Sequence, residues 1–335
     1  MRAKVFLFIL SACVAAGQDV ARVFRLHHIE STPDLNDFTT LVRTLAEIRD
    51  ISTDATQKTM SVRGTAGQIS VAEFLFTELD RQTVPDSMTQ EFRVSKNPDD
   101  VVRLFFPLHT ESVQQLQEIA TTIRTVAEIR RVFTLNSRKA IGVRGTADQI
   151  AATEFLIREL DQPAGAKRTD SREYRMTDTV MHDDGVVRVF YLPYTATVQQ
   201  FQEIATMIRT IAEIRRVFTY NAPRAMIVRG TADQLLLADW MVHELAKPVT
   251  AETVASQKYT YPDVYHDGEN LVRVFYVKDV STIPAFQQLA AQIRTATKIR
   301  RVFTYNESKA LALRGTEEQL ATAEQMLKDR QIASK

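Results

Sequence analysis

The tripeptide Arg-Gly-Thr is written four times, at Arg63, Arg144, Arg229 and Arg314, each time ahead of an amphipathic stretch. Each glycine of the set (Gly64, Gly145, Gly230, Gly315) follows an earlier arginine (Arg22, Arg103, Arg188, Arg273) by 42 residues, and the copies recur at periods of 81, 85 and 85. Internal repetition limits a fold more tightly than composition does, because each copy must be able to form the same small unit. Copies two to four also share "IRRVFTLN", "IRRVFTYN" and "IRRVFTYN", whereas copy one has diverged to "IRDISTDA".

The periods inside a copy identify its elements. "VVRVFYL" from Val186 is β-branched and aromatic, which predicts a strand. Val198, Phe201, Ile204, Ala205, Ile208 and Ile211 then mark one face at helical spacing. "RRVFTY" and "AMIVR" predict two further strands, with "NAPR" as the turn between them. In the last strand Met60 and Val62, with their counterparts Ile141 and Val143, Met226 and Val228, and Leu311 and Leu313, fall on one face. Arg63, Arg144, Arg229 and Arg314 fall on the other. The fold class expected is α+β, a tandem array of four β-α-β-β-α modules over residues 18–82, 83–163, 164–248 and 249–335. Connectors carrying "QEFRV", "REYRMTDTV" and "QKYTY" predict an added strand that enters the next unit through a hairpin.

Thr65, Thr146, Thr231 and Thr316 each stand three residues before a glutamine: Gln68, Gln149, Gln234 and Gln319. That is capping-box spacing, in which the hydroxyl accepts from the N3 amide and the glutamine reaches back to the cap. The preceding glycine suits a tight approach or a positive φ. Arg-Gly-Thr therefore reads as a strand stop and a helix cap, with a ligand-binding loop as the alternative.

The chain opens "MRAKVFLFILSACVAAGQDV", with two basic residues, an apolar run and then small residues, the layout of a secretory signal peptide over residues 1–17. "LSAC" resembles a bacterial lipobox, so Cys13, the single cysteine, is a candidate lipidation site; ordinary cleavage near Ala16 would discard it. The expected location is periplasmic or secreted, with no transmembrane span in the mature chain and no disulfide. Without Arg2 and Lys4 the chain holds 40 basic and 41 acidic side chains, which gives no net field for a polyanion.

"VRVFYL" at the start of a unit and "IVRGTADQ" followed by "HEL" at its end resemble the periplasmic N-domains of bacterial secretins of type II and III secretion and type IV pili. "TELD" ending at Asp80 and "RELD" ending at Asp161 match the closing helix of those repeats, while "HELA" and "LKDR" depart from it. The resemblance implies a KH-like module and periplasmic interaction units that pack together or dock onto secretion and pilus components. Secretins continue into a β-rich channel region that this sequence does not show, so channel activity is not implied.

Catalytic chemistry finds no support. His27, His28, His109, His182, His243 and His266 are not paired at metal-ligand spacing, and no phosphate loop, dinucleotide fingerprint or nucleophile elbow is present. No cofactor or metal is expected. "GTAG" at Gly64–Gly67 matches the GXXG loop of nucleic-acid-binding KH domains, but the other copies put an acid at its last position, so nucleic acid is not the expected partner. The candidate binding surface is the face of the first strands, where Arg22 and Phe24, Arg103 and Phe105, Arg188 and Phe190, and Arg273 and Phe275 share a side. The four Arg-Gly-Thr arginines complete the candidate set. Core phenylalanines are the competing reading, because these strands are apolar on both sides. The expected function is a non-enzymatic envelope scaffold that contacts envelope proteins or itself. The alternative is a carbohydrate- or peptidoglycan-binding protein using the "HDDG" turns, with Tyr174, Tyr259 and Tyr261 as stacking platforms.

Overall fold

The structure, a computed structural model, describes residues 19–29, 31–83, 89–94, 99–163, 166, 168–177, 184–221, 224–246, 255–262 and 268–333. The expected signal peptide, Cys13, and the turn residues His182 and His266 lie outside the described residues.

One element order recurs. The first repeat runs β1 (Val20–Arg25), α1 (Thr32–Leu45), β2 (Asp50–Asp54), β3 (Thr59–Gly64) and α2 (Ala66–Leu79). The second adds a leading strand: β4 (Thr89–Arg93), β5 (Val101–Phe105), α3 (Val113–Val126), β6 (Arg131–Leu135), β7 (Ala140–Gly145) and α4 (Ala147–Leu160). The third follows suit with β8 (Arg172–Arg175), β9 (Val186–Tyr191), α5 (Val198–Ile211), β10 (Arg216–Tyr220), β11 (Ala225–Gly230) and α6 (Ala232–Ala246). The fourth holds β12 (Tyr259–Thr260), β13 (Leu271–Tyr276), α7 (Ile283–Thr297), β14 (Arg301–Tyr305), β15 (Ala310–Gly315) and α8 (Glu317–Ala333). The fold is thus mixed α+β, with eight α-helices and four small antiparallel sheets among the described residues. The sheet orders are β1-β3-β2, β4-β5-β7-β6, β8-β9-β11-β10 and β12-β13-β15-β14.

Local chemistry accounts for where the helices begin. Ser31 accepts from the Asp34 amide, Ser112 and Gln115 form a capping box, Thr197 and Gln200 form another, and Thr282 accepts from the Ala285 amide. Each of these helices is then followed by a non-glycine residue in the left-handed region: Glu47, Glu128, Glu213 and Lys298, at φ between 55 and 58°. That conformation disfavours a Cβ by roughly 1–2 kcal/mol, and the side chains at three of the four positions have a task, described below.

The chain divides into two compact units, residues 1–108 with 129–147 and residues 109–128 with 148–335. In the first unit α1 packs on β6 and β7, an edge strand and its central neighbour in the sheet of the following repeat. Leu41 and Leu45 of α1 are fully buried, and a Cβ built on Gly142 of β7 would lie 2.6 Å from Leu45 Cδ1 and 3.6 Å from Leu41 Cδ1. Gly142 is there because the helix comes that close. In the second unit α3 packs on β10 and β11, and α5 packs on β14 and β15. Thr122, Val126, Met207 and Ile211 are the buried counterparts of Leu41 and Leu45.

Sheets covered on both sides have central strands with no outward face, so β7, β11 and β15 are buried along almost their whole length. In the first repeat β3 alternates instead, and Val23 is 67% exposed where Leu104, Val189 and Val274 are 0% exposed. There β2 carries Asp50, Ser52 and Asp54 where β6 carries Arg131, Phe133 and Leu135. On α7, Gln292 and Ala296 are exposed where α5 buries Met207 and Ile211.

Candidate functional site

The Arg-Gly-Thr arginines converge on one recurring arrangement. Arg144 Nη1 donates to the Leu45 carbonyl at 2.7 Å, Arg229 Nη1 to that of Val126 at 2.7 Å, and Arg314 Nη1 to that of Ile211 at 3.1 Å. Each acceptor is the last residue of the first helix of the preceding repeat, a position whose carbonyl has no partner within the helix and sits at the negative end of its dipole. A guanidinium there satisfies the orphan acceptor and complements the dipole together. All three arginines are buried, Arg314 completely, whereas Arg63 of the first repeat is exposed.

The left-handed glutamates complete each joint. Glu47 pairs with Arg131 at 2.6 Å and lies 3.4 Å from Arg144. Glu128 pairs with Arg216 and lies 3.3 Å from Arg229; Glu213 pairs with Arg301 at 2.8 Å and lies 3.6 Å from Arg314. A second acid approaches from ahead of the first strand. Asp100 accepts two bonds from Arg144, Nε to Oδ1 at 2.8 Å and Nη2 to Oδ2 at 2.7 Å, while Asp184 pairs with Arg216 and Glu269 with Arg301. The Arg144 hydrogen bonds hold the Asp100 carboxyl below its ordinary range against the opposing effect of burial, and the same bonds push Arg144 further up. At the fourth repeat the position of the three glutamates is Lys298.

The rest of the motif performs the capping task. Thr65, Thr231 and Thr316 accept from the amides of Gln68, Gln234 and Gln319, and each glutamine Oε1 accepts from the backbone of its threonine. The free ends of the glutamines do further work: Gln68 donates to Glu47 O, Gln149 to Ala127 O and Glu128 O, Gln234 to Ala212 O and Glu213 O, and Gln319 to Thr297 O. Thr146 precedes Gln149 at the same spacing and is itself engaged. The glycine is needed for proximity and not for a positive φ, since Gly268 is the one glycine with positive φ among the described residues. A Cβ on Gly64, Gly230 or Gly315 would meet the cap glutamine Oε1 at 2.7–2.8 Å. "GTAG" is not a clamp loop, because Gly64 ends β3 and Gly67 lies in the first turn of α2.

The expected Arg/Phe contact surface is corrected by the structure. Phe105, Phe190 and Phe275 are 1–2% exposed, and half-buried Phe24 stacks on Phe76 with ring centroids 3.9 Å apart. Strand pairing explains this, since Phe24 lies opposite Met60, Phe190 opposite Met226 and Phe275 opposite Leu311, on the inward side of each sheet. Their neighbours are spent internally: Arg22 pairs with Glu73, Arg103 with Glu91, Arg188 with Glu173 and Asp239, and Arg273 with Glu324.

The tyrosines named as sugar platforms, all half-buried, each meet one neighbour within the fold. Tyr174 stacks on Phe155 at 5.7 Å, Tyr259 meets Trp240 at 5.2 Å, and the Tyr261 ring carries the Arg314 guanidinium at 4.2 Å. Among the described residues no group of three or more His, Cys, Asp or Glu side chains could hold a metal ion, and no helix is long and apolar enough to cross a membrane. His27 and His28 donate backbone amides to Asp80, as His109 does to Asp161.

No protein-family model and no curated protein matches the chain. Among solved structures it is similar to ExeD of Aeromonas hydrophila, at 12% identity over 68% of this chain and 41% of that one, with a TM-score of 0.17. It is similar to the N-terminal domain of the secretin XcpQ from Pseudomonas aeruginosa, at 10% identity over 43% and 62% with a TM-score of 0.19. The type II secretion system secretin GspD of E. coli K12 is 8% identical over 69% and 39%, with a TM-score of 0.16. The chain therefore spans between 39% and 62% of the length of these three proteins, and whole chains do not superpose at such scores.

Proposed function

We propose that this chain is an exported, non-enzymatic scaffold of the bacterial envelope that serves a secretion or pilus system through protein–protein contact. Its building blocks are the four secretin-N-like, KH-like modules at 18–82, 83–163, 164–248 and 249–335. The observation that carries this reading is the joint between successive repeats: Arg144, Arg229 and Arg314 each seal the last carbonyl of a helix from the repeat before. The most distinctive motif is spent on joining repeats, which is what a multivalent interaction protein requires and what an active site would not need. The sequence likeness to secretin N-domains and the signal-peptide layout point to the same compartment and class.

The test is fractionation of the producing bacterium, with intact mass of the purified chain, followed by capture from its envelope fraction. The expected result is a periplasmic chain beginning near Gly17 or Gln18 that recovers secretion or pilus components. Binding of isolated peptidoglycan with no protein capture would replace this reading by the carbohydrate-binding one.

A further inference from the structure

Helices α1, α3 and α5 each pack on the sheet of a following repeat. Among the described residues α7 has no following sheet, and Gln292 and Ala296, which stand where α5 has Met207 and Ile211, are exposed. The β1-β3-β2 sheet has no preceding helix there. Its outer face holds Ala21, Arg63 and Asp50 in one cross-strand row and Val23, Ser61 and Ser52 in the next.

These two open faces depart from the internal joints in matched ways. In each joint the left-handed glutamate pairs with the arginine that begins the strand after the next repeat's first helix: Glu47 with Arg131, Glu128 with Arg216, Glu213 with Arg301. At the open faces both signs are reversed, since the left-handed residue is Lys298 and Asp50 stands in the arginine's place. Asp50 lies across from Arg63, yet neither of them nor Lys298 has a side-chain hydrogen bond or ion pair among the described residues. Size changes on both sides as well. Gly142 makes room for Leu45, whereas the matching strand residue is the larger Ser61 and the matching helix residue the smaller Ala296. Arg63 keeps the Arg-Gly-Thr arginine with no helix end to seal. The Ala296 carbonyl, in the last turn of α7, receives no arginine among the described residues.

We propose that the end of α7 in one copy of this chain docks on the outer face of the β1-β3-β2 sheet in a second copy, Arg63 donating to the Ala296 carbonyl and Lys298 pairing with Asp50. The contact is head-to-tail. It names a second copy as the partner, and in that it deepens and rests on the scaffold reading. Charge balances as it does inside the chain. The joint in the first unit gathers two bases, Arg131 and Arg144, with two acids, Glu47 and Asp100. The contact between copies gathers Lys298 and Arg63 with Asp50 and Asp19, which precedes the Val20–Gly64 pair as Asp100 precedes the Val101–Gly145 pair. A face that had merely to stay open needs polar residues of either sign. It gives no reason for a lysine and an aspartate at the two positions that meet. Because Gln292 and Ser52 replace buried apolar residues of the joints, the contact is weaker than a joint and depends on concentration.

The test uses the full mature chain, which from Gln18 onward contains no cysteine. Sedimentation over a range of concentrations should show reversible self-association. Lys298→Glu sets glutamate against Asp50, and Asp50→Lys sets lysine against Lys298. Each is expected to weaken association about fivefold or more, and the two together in one chain to restore it. Lys139→Glu, at another exposed left-handed lysine, is the control of equal charge change and should have no effect. Unfolding midpoints near that of the wild type verify folding, and Lys298→Glu introduces the residue that the other three repeats carry. Mixing a chain carrying Ser61→Cys with one carrying Ala296→Cys should give disulfide-linked pairs of one of each, in excess over like pairs. A monomer at every concentration, association that the double exchange does not restore, or mixed pairs no more abundant than like pairs overturns the proposal. Envelope capture separates the two readings. Capture by a chain that stays monomeric removes the contact and leaves the scaffold, whereas association restored by the double exchange without any envelope capture leaves the contact and removes the scaffold.

Discussion

Arg314 donates to the carbonyl oxygen of Ile211 across 103 residues of chain, and it does so with no exposed surface of its own. The pair binds the end of a helix in one repeat to the central strand of the next. Arg314 Nε also donates to the Glu269 carbonyl at 3.1 Å, so two directions of the guanidinium fork are used together.

A lysine at that position has one point charge and cannot reproduce the fork. Arg314→Lys is therefore expected to lower stability by about 1–3 kcal/mol, the range for a buried acceptor left without its donor. Arg63→Lys, in the same motif but exposed, should stay within about 0.5 kcal/mol of the wild type. Urea unfolding of the two variants checks the contrast, and equal losses would contradict the joint.

Glu213 and Lys298 occupy the same left-handed position but differ in task. Lys298 has no side-chain hydrogen bond or ion pair among the described residues, and glycine accepts φ of 58° freely, so Lys298→Gly should stabilise by up to about 1 kcal/mol. Glu213→Gly gains the same backbone relief but removes the carboxylate that pairs with Arg301 and faces Arg314, and its net effect should be destabilising. Thermal melting of both variants reads the opposite signs.

Tyr191 donates its hydroxyl to Glu159 Oε2 at 2.7 Å, and Tyr276 to Glu244 Oε1 at 3.2 Å. The corresponding residue of the second repeat is Phe106, and Glu78 Oε2 is buried without a hydrogen bond among the described residues. Phe106→Tyr should supply the missing donor and raise stability by about 0.5–1.5 kcal/mol. Tyr191→Phe should lose a similar amount, as denaturant unfolding would register.

Asp100 sets a pH dependence with a definite sign. Its folded-state pKa is lowered, chiefly by the Arg144 hydrogen bonds, so its stabilisation is present above the unfolded value of about 3.9 and is lost as pH falls through the folded value. Asp100→Asn should be less stable than the wild type at neutral pH, with the gap closing on acidification below about pH 4. Melting temperatures from neutral to acidic pH measure this; a gap that stays constant would remove Asp100 from the joint.

The sequence by itself determined the repeats, the element types and the helix caps, because those signals are local. Thr65 and Gln68 are three residues apart, and a capping box needs nothing beyond that spacing and a following helix. The added strands β4, β8 and β12 were legible for the same reason. Only the tertiary structure decided which side of each first strand faced inward. Leu104 and Phe105, neighbours on opposite faces, are both buried, so alternation carries no information about which one meets solvent. The destination of the Arg-Gly-Thr arginines was equally closed to a local reading. Arg144 and Leu45 are 99 residues apart, and the orphan carbonyl that Arg144 seals exists only once a helix has ended against the sheet of the following repeat.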